Sequence, residues 1–328
     1  MNGEPGEIIE RLVRLLADGR FHSGEELGHL MGISRAAVWK RLQQLEPLGL
    51  SVHSVRGRGH RLAKPLDLLN RQRILAGMDA RVLDRCVGLD LKFAVDSTSA
   101  HLGRVAGEHP SGHICLTEYQ TAGRGRRGRR WISPFGSNLY FSLLWRFQGA
   151  GQLGGLSLAV AVAVIEALES VGAARLVLKW PNDVLYEDRK LAGILIEVAG
   201  EATGECQVIV GIGVNIGMPL LDGNRIDQPW ADLTETGARL DRNGTASALI
   251  GSLVQSLERF ERYGLPCFLN AWRARDALYG QPVTVQFTDS ELVGIGRGID
   301  EAGQFLVEHE EGTERLSYGE VSIRRWAS

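Results

Sequence analysis

A chain of 328 residues, 44% of them apolar and 41 of them glycine, suits a turn-rich globular protein of two or three domains, and a net charge of −2 excludes nothing by itself. The most apolar run, Leu156 to Ile165, is too short to span a bilayer and meets Glu166, and the N-terminus lacks a signal-peptide pattern, so a cytoplasmic protein with no membrane partner is expected. Cys86, Cys115, Cys206 and Cys267 lie far apart without a C-x-x-C pair, and the eight histidines show no zinc-ligand spacing, which argues against a disulfide framework or a metal held by protein alone.

The charge is unevenly distributed. Residues 34 to 64 contain Arg35, Lys40, Arg41, Arg56, Arg58, Arg61 and Lys64 against the single acid Glu46. Glu7 to Ala17 places apolar residues on a helical face that ends at Asp18-Gly19. Ser23 with Glu26 reads as a capping box for a second helix, which buries Leu27 and Leu30 and closes at Gly32, before Ser34 caps a third. That third helix buries Val38, Leu42 and Leu45. It leaves Ser34, Arg35, Ala36, Ala37, Trp39, Lys40 and Arg41 for base edges and phosphates. Two short strands then flank Arg56-Gly57-Arg58-Gly59, a basic hairpin tip, and residues 1 to 65 read as a DNA-binding winged helix-turn-helix.

From Pro65 onward strands alternate with helices, as in a mixed-sheet α/β domain with flanking helices. Leu89 to Val95 alternates as a strand, and Asp96-Ser97-Thr98-Ser99 supplies cap oxygens and free hydroxyls to the next helix. Gly112 to Tyr119 and Asn138 to Trp145 read as strands joined by Gly123-Arg124-Gly125-Arg126-Arg127-Gly128-Arg129-Arg130-Trp131. Five cations among three glycines repel one another, so this loop is expected to be mobile until an anion gathers the guanidinium groups. A nucleic-acid patch is the alternative for a lone basic run, but the loop sits between two expected core strands. Its G-x-G-x-x-G spacing is no dinucleotide fingerprint, since no helix follows and no Asp or Glu occurs between Glu118 and Glu166; nor is there a Walker loop anywhere in the chain.

Leu153 to Val171 reads as a long buried helix, and the strand Leu176 to Leu178 runs into Lys179-Trp180-Pro181-Asn182-Asp183. Lys190 and Gly193 stand at the entrance to the strand Leu191 to Glu197. Gly211 and Gly213 interrupt the strand Gln207 to Ile216, where a ligand or another backbone could approach closely. Helices near Thr245 to Tyr263 and Pro266 to Leu278 complete residues 66 to 278. Short strands from Pro282 make residues 279 to 328 a small SH3-like β barrel.

The motifs Arg124-Gly125-Arg126-Arg127-Gly128-Arg129, Lys179-Trp180-Pro181-Asn182-Asp183, Lys190-Leu191-Ala192-Gly193 and Gly211-Ile212-Gly213-Val214-Asn215 together resemble biotin protein ligases. With the winged helix in front, the chain resembles the bifunctional branch that is both biotin ligase and biotin operon repressor. The resemblance implies a two-step reaction using ATP with Mg²⁺ and biotin as substrates, with no tightly bound prosthetic group. Biotinyl-5'-AMP forms first, and a lysine of the biotin carboxyl carrier protein of acetyl-CoA carboxylase then takes the biotinyl group. Operator DNA would be a second partner, bound by a homodimer loaded with adenylate. It further implies biotin contacts from Ser97, Thr98, Ser99, Gln120, Arg124, Gly125, Arg126, Lys190 and Gly193. ATP contacts would come from Arg124, Arg126, Arg127, Arg129, Trp131, Asn182 and Asn215, and Lys190, Arg126 and Asp183 would act in the chemistry. The family's Ser-Thr-Asn appears here as Ser97-Thr98-Ser99, with a shorter third side chain. A non-catalytic biotin-sensing repressor and a lipoate ligase are the competing readings.

Overall fold

The computed structural model describes residues 5–149, 153–200, 204–287, 290–317 and 322–325, so the extreme ends of the expected first and last domains lie outside the described residues. Local caps decide the first helices, α1 (Pro5–Leu16), α2 (Gly24–Met31) and α3 (Arg35–Leu42). Ser23 Oγ accepts from Glu26 N at 3.0 Å while the Glu26 carboxylate accepts from Ser23 N at 3.3 Å, and Gly32 closes α2 in the left-handed region. Ser34 Oγ caps α3 by accepting from Ala37 N at 3.2 Å. A Cβ at Gly28 would lie 2.7 Å from Ile33 O, so that glycine lets the turn between α2 and α3 close tightly.

Two local expectations change. Leu30 is 41% exposed; the buried stripe of α2 runs from Leu27 to Met31, four residues on, and Leu30 falls on its flank. Leu45 is buried, but from a 3-10 segment, Gln43–Leu48, that succeeds α3 and contains Pro47. The wing pairs β1 (Val52–Val55) with β2 (Gly59–Leu62) antiparallel, Val52 opposite Leu62. Arg58 and Arg61 stack over Phe21 at 4.4 and 5.0 Å, which anchors the wing to the segment between α1 and α2.

After α4 (Arg71–Ala76) and α5 (Ala80–Arg85) comes a seven-stranded sheet. Its members are β3 (Gly88–Lys92), β4 (His113–Thr117), β5 (Leu139–Gln148), β6 (Leu176–Lys179), β7 (Asp183–Tyr186), β8 (Arg189–Gly200) and β9 (Glu205–Val214). Their spatial order is β3-β4-β5-β9-β8-β7-β6, with β3 and β4 parallel and all other neighbours antiparallel. Helix α6 (Thr98–Val105) packs on one face through Leu102, against Cys115, Leu144 and Ile209. A single turn, α8 (Leu220–Gly223), follows β9 in the chain. The other face carries α7 (Leu156–Ser170) and α9 (Arg242–Tyr263), with α10 (Pro266–Arg273) beside them. Helix α7 is buried nearly all round, which explains its lack of polar periodicity.

The tail is an antiparallel five-stranded sheet of β10 (Pro282–Gln286), β11 (Glu291–Ile299), β12 (Phe305–His309), β13 (Gly312–Leu316) and β14 (Ser322–Arg325), ordered β13-β12-β11-β10-β14. Trp180 fixes it to the central sheet: its indole N–H donates to Gly303 O at 3.1 Å and its ring lies 5.8 Å from that of Phe305. Among the described residues no helix is long and apolar enough to cross a membrane.

Candidate active site

The face of the central sheet that α6 covers only in part carries the candidate site. Strand register puts the relevant residues on that face together: Ser142 opposite Gly211, Gly211 opposite Leu195, Gly213 opposite Gly193. Gly193 and Gly213 form a floor without side chains, and the Trp131 indole lies on it. A Cβ at Gly213 would come within 2.4 Å of the indole and one at Gly193 within 2.8 Å, so these glycines exist for a close approach of the ring. The Lys190 ammonium sits 5.6 Å from the centre of the same ring.

Helix α6 brings its first turn to the floor. Ser97 caps it, accepting from Ala100 N at 3.5 Å, and the Arg104 guanidinium grips Asp96 at 2.7 and 2.8 Å, holding that carboxyl well below the usual carboxylate range. Thr98 and Ser99 are buried, and both hydroxyls meet Ser142 Oγ, at 2.8 and 2.9 Å. Gln120, just past β4, accepts from Thr98 N at 3.0 Å and donates to Ser133 Oγ at 3.1 Å. The hydroxyl cluster is thus bonded and oriented, as a polar recognition pocket requires.

Opposite stands the arginine loop, with a cleft of about 610 Å³ between residues 121–130 and Leu195 and Glu197 of β8. Within the loop Gly125 N donates to Arg129 O at 2.7 Å and Trp131 N to Gly123 O at 2.9 Å, and residues 126–128 turn tightly with Arg127 in the left-handed region. Several of its cations find acceptors within the chain. Arg124 pairs with Glu197 at 2.8 Å, Arg126 donates to Asn182 Oδ1 at 3.0 Å, and Arg130 donates to Thr121 O at 3.0 Å. Arg127, with φ 56°, and Arg129 are exposed along the rim.

Lys190 is the second residue of β8, at its entrance as expected, and Gly193 the fifth. Lys190 Nζ is 2.8 Å from Asp183 Oδ1, and Asn182 Nδ2 donates to Ile194 O at 2.5 Å, so the segment after Trp180-Pro181 is stapled to β8. Asn215 sits 3% exposed at the end of β9. Its amide donates to Lys190 O at 3.3 Å and Ala231 O at 3.1 Å, while its Oδ1 has no hydrogen-bond partner among the described residues. Ser97, Thr98, Ser99, Gln120, Arg124, Gly125, Arg126, Trp131, Asn182, Asp183, Lys190, Gly193 and Asn215 are therefore gathered around one sheet face. Ser34, Arg35, Ala36, Ala37, Trp39, Lys40, Arg41, Arg56 and Arg58 stand apart on the winged module, where Trp39 is 58% exposed.

Sequence reasoning missed Ser142, Ser133 and Glu197. Ser142 is the one serine in the largely apolar strand Leu139–Phe147, a signal in plain view, and Glu197 is on the face of Gly193 by simple alternation. Ser133 becomes visible only through Gln120.

Three family profiles tile the chain: an HTH domain over residues 9–61, the Biotin/lipoate A/B protein ligase family over 94–215, and the Biotin protein ligase C terminal domain over 278–324. The chain is 42% identical over 315 residues to the Bifunctional ligase/repressor BirA of Escherichia coli, covering 96% of each. It is 36% identical to the Biotin--[acetyl-CoA-carboxylase] ligase of Paracoccus denitrificans, covering 69% of this chain and 96% of that one. Among solved structures, the biotin protein ligase from Aquifex aeolicus in complex with biotin and ATP aligns at TM-score 0.64 and 30% identity, covering 73% of this chain and all of that one. The chain belongs to the biotin protein ligase family, in its bifunctional ligase/repressor branch.

Proposed function

We propose that this chain activates biotin with ATP and transfers it to a lysine of the biotin carboxyl carrier protein of acetyl-CoA carboxylase, and that its winged module takes the adenylate-loaded protein to operator DNA. The carrying observation is the single sheet face on which a buried hydroxyl cluster, a glycine floor and a set of cations converge. In the first step a biotin carboxylate oxygen bonds to the α-phosphorus of ATP and pyrophosphate leaves. In the second, the lysine amine bonds to the acyl carbon, AMP leaves, and the amine gives up a proton.

Ser97, Thr98, Ser99 and Gln120 are assigned to the polar ring of biotin, with Ser142 setting the hydroxyl directions. The backbone at Arg124, Gly125 and Gly193 lines the path of the acyl chain. Lys190 and Arg126 meet the oxygens where charge develops, and Arg127 and Arg129 meet the outer phosphates. Trp131 is assigned to adenine, and Asn182 and Asn215 to the nucleotide. Asp183 already holds one ammonium, that of Lys190, at 2.8 Å, and the same carboxylate is suited to take the proton of the acceptor lysine.

Among the described residues no cluster of three His, Cys, Asp or Glu could hold a metal alone, so Mg²⁺ would be held mainly by the ATP phosphates, with the unpartnered Asn215 Oδ1 as an oxygen the protein can offer. When bound it neutralises phosphate charge. A cytoplasmic setting and an adenylate-dependent homodimer complete the proposal.

The test is pyrophosphate release by the purified chain given ATP with biotin, with lipoate, or with neither acid. Release with biotin alone supports the reading. Release with lipoate alone identifies the other acid, and binding of biotin without release identifies a sensor.

A further inference from the structure

A buried guanidinium outside the cleft grips both stems of the arginine loop. Arg242, the first residue of α9, is 4% exposed. Its Nη1 lies 2.8 Å from Glu118 Oε2, its Nε and Nη2 donate to Asn138 O at 3.2 and 2.8 Å, and its Nη1 also donates to Asp67 O at 2.7 Å. Glu118 is the residue after β4 and Asn138 the residue before β5, so the loop from 119 to 137 springs from two points held by one side chain. The Oε2 contact is an ion pair without hydrogen-bond alignment. Glu118 Oε1 instead accepts from Leu69 N at 2.5 Å.

Asp67 and Leu69 belong to the connector between the winged module and the ligase domain, so the same junction holds the connector. Phe135, four residues beyond Trp131 on the loop's descending arm, is 3% exposed within the apolar core of the winged module. A rigid planar cation with five donors suits such a junction, because it can hold several acceptors in fixed directions, whereas an ammonium is a point charge.

We propose that Arg242 is a positioning residue for the reaction: it sets the stance of the arginine loop and ties that stance to the connector of the DNA-binding module. The proposal rests on the ligase reading above. Arg242 touches none of the reacting groups, so its loss lowers the fraction of molecules with a competent loop, not the chemistry of those that have one. A fall to a tenth of the competent fraction raises the apparent KM for biotin about tenfold. The turnover number stays within about twofold, since the interactions made in the transition state are retained.

The full chain and two variants test this. Arg242→Lys keeps the charge and loses the planar fork. Glu118→Gln with Arg242→Met removes both buried charges together, so neither is left uncompensated. Each is measured for KM and kcat in biotin-dependent pyrophosphate release, and for hydrogen exchange at the Leu69 amide with and without biotin plus ATP. The expected result is a raised KM with preserved kcat, and a Leu69 amide that biotin plus ATP protect in the unaltered chain but not in the variants. Either variant with native KM and native ligand response at Leu69 overturns the proposal. So does a joint fall of kcat and kcat/KM with exchange protection lost throughout α9, which marks a merely structural role. An unaltered chain that releases no pyrophosphate refutes the ligase reading itself, whereas an active unaltered chain beside native variants refutes only the role of Arg242.

Discussion

The winged module and the ligase cleft both concentrate cations, and they treat them in opposite ways. In the module Arg35, Lys40, Arg56 and Arg58 are exposed, and none pairs with a carboxylate among the described residues; Arg58 leans on the Phe21 ring instead. In the cleft Arg124 leans on Glu197, Arg126 on Asn182 and Lys190 on Asp183. A DNA duplex presents its phosphates from outside and meets solvated cations by displacing counterions, so nothing in the chain needs to compensate them beforehand. A small anion has to be enclosed, and cations brought that close together repel unless the chain supplies acceptors until the ligand arrives. The acceptors in the cleft are therefore part of the binding equilibrium, while the wing has none to displace.

The comparison breaks most decisively at Lys190. Lys190→Ala should lower pyrophosphate release by roughly 100- to 1,000-fold, the scale for removing one charged group that stabilises a transition state. Adding Asp183→Asn should not restore it, because the missing element is the cation and not the ion pair; recovery in that double variant would make the pair structural.

Arg126 sharpens the same contrast at a smaller scale. Losing one charge-assisted hydrogen bond of roughly 1.5 to 3 kcal/mol should speed escape of the adenylate about tenfold to a hundredfold. Pyrophosphate release should survive better, since Lys190 and the other arginines remain. Arg126→Ala should then label lysines of a bystander protein, as the freed mixed anhydride reacts with any amine. Bystander labelling and pyrophosphate are measured separately, and an unlabelled bystander with release no faster than in Lys190→Ala rules out the holding role.

On the wing, Arg56→Gln should weaken binding to random-sequence duplex DNA and flatten the log-log salt dependence by about 0.9 for each phosphate no longer neutralised. Arg58→Gln should do the same and also loosen the wing, by removing the stacking on Phe21 worth about 0.5 to 1 kcal/mol. A salt slope unchanged in both variants would remove the wing from the DNA interface.

The smallest effect belongs to Glu197. Its pair with Arg124 lies at the solvent edge of the cleft, with Arg124 exposed and Glu197 half-buried, so Glu197→Gln should release the guanidinium at a gain of only about 0.2 to 1 kcal/mol. The expected outcome is a KM for biotin lowered by about 1.4-fold to fivefold. A raised KM would mean that Glu197 orders the loop rather than competing for it.

Local signals were legible from residue order: the capping box at Ser23 and Glu26, the cap at Ser34, the glycine turns, and strand alternation on either side of the arginine loop. Each depends on groups within a few positions of one another, so residue order alone specifies the geometry. The resemblance to biotin protein ligases also marked Lys190, Asn182, Asp183 and Asn215 as members of one set, and strand order then brought them to one face. Only the tertiary structure decided which cations have acceptors, because Arg124 meets Glu197 and Arg126 meets Asn182 across sequence distances of 73 and 56 residues. The same holds for Ser142 beside Thr98 and Ser99, and for Arg242 between Glu118, Asn138 and Asp67. A polar side chain carries no mark of the partner it will find, since that partner is set by strand register and helix packing, and these are properties of the whole sheet.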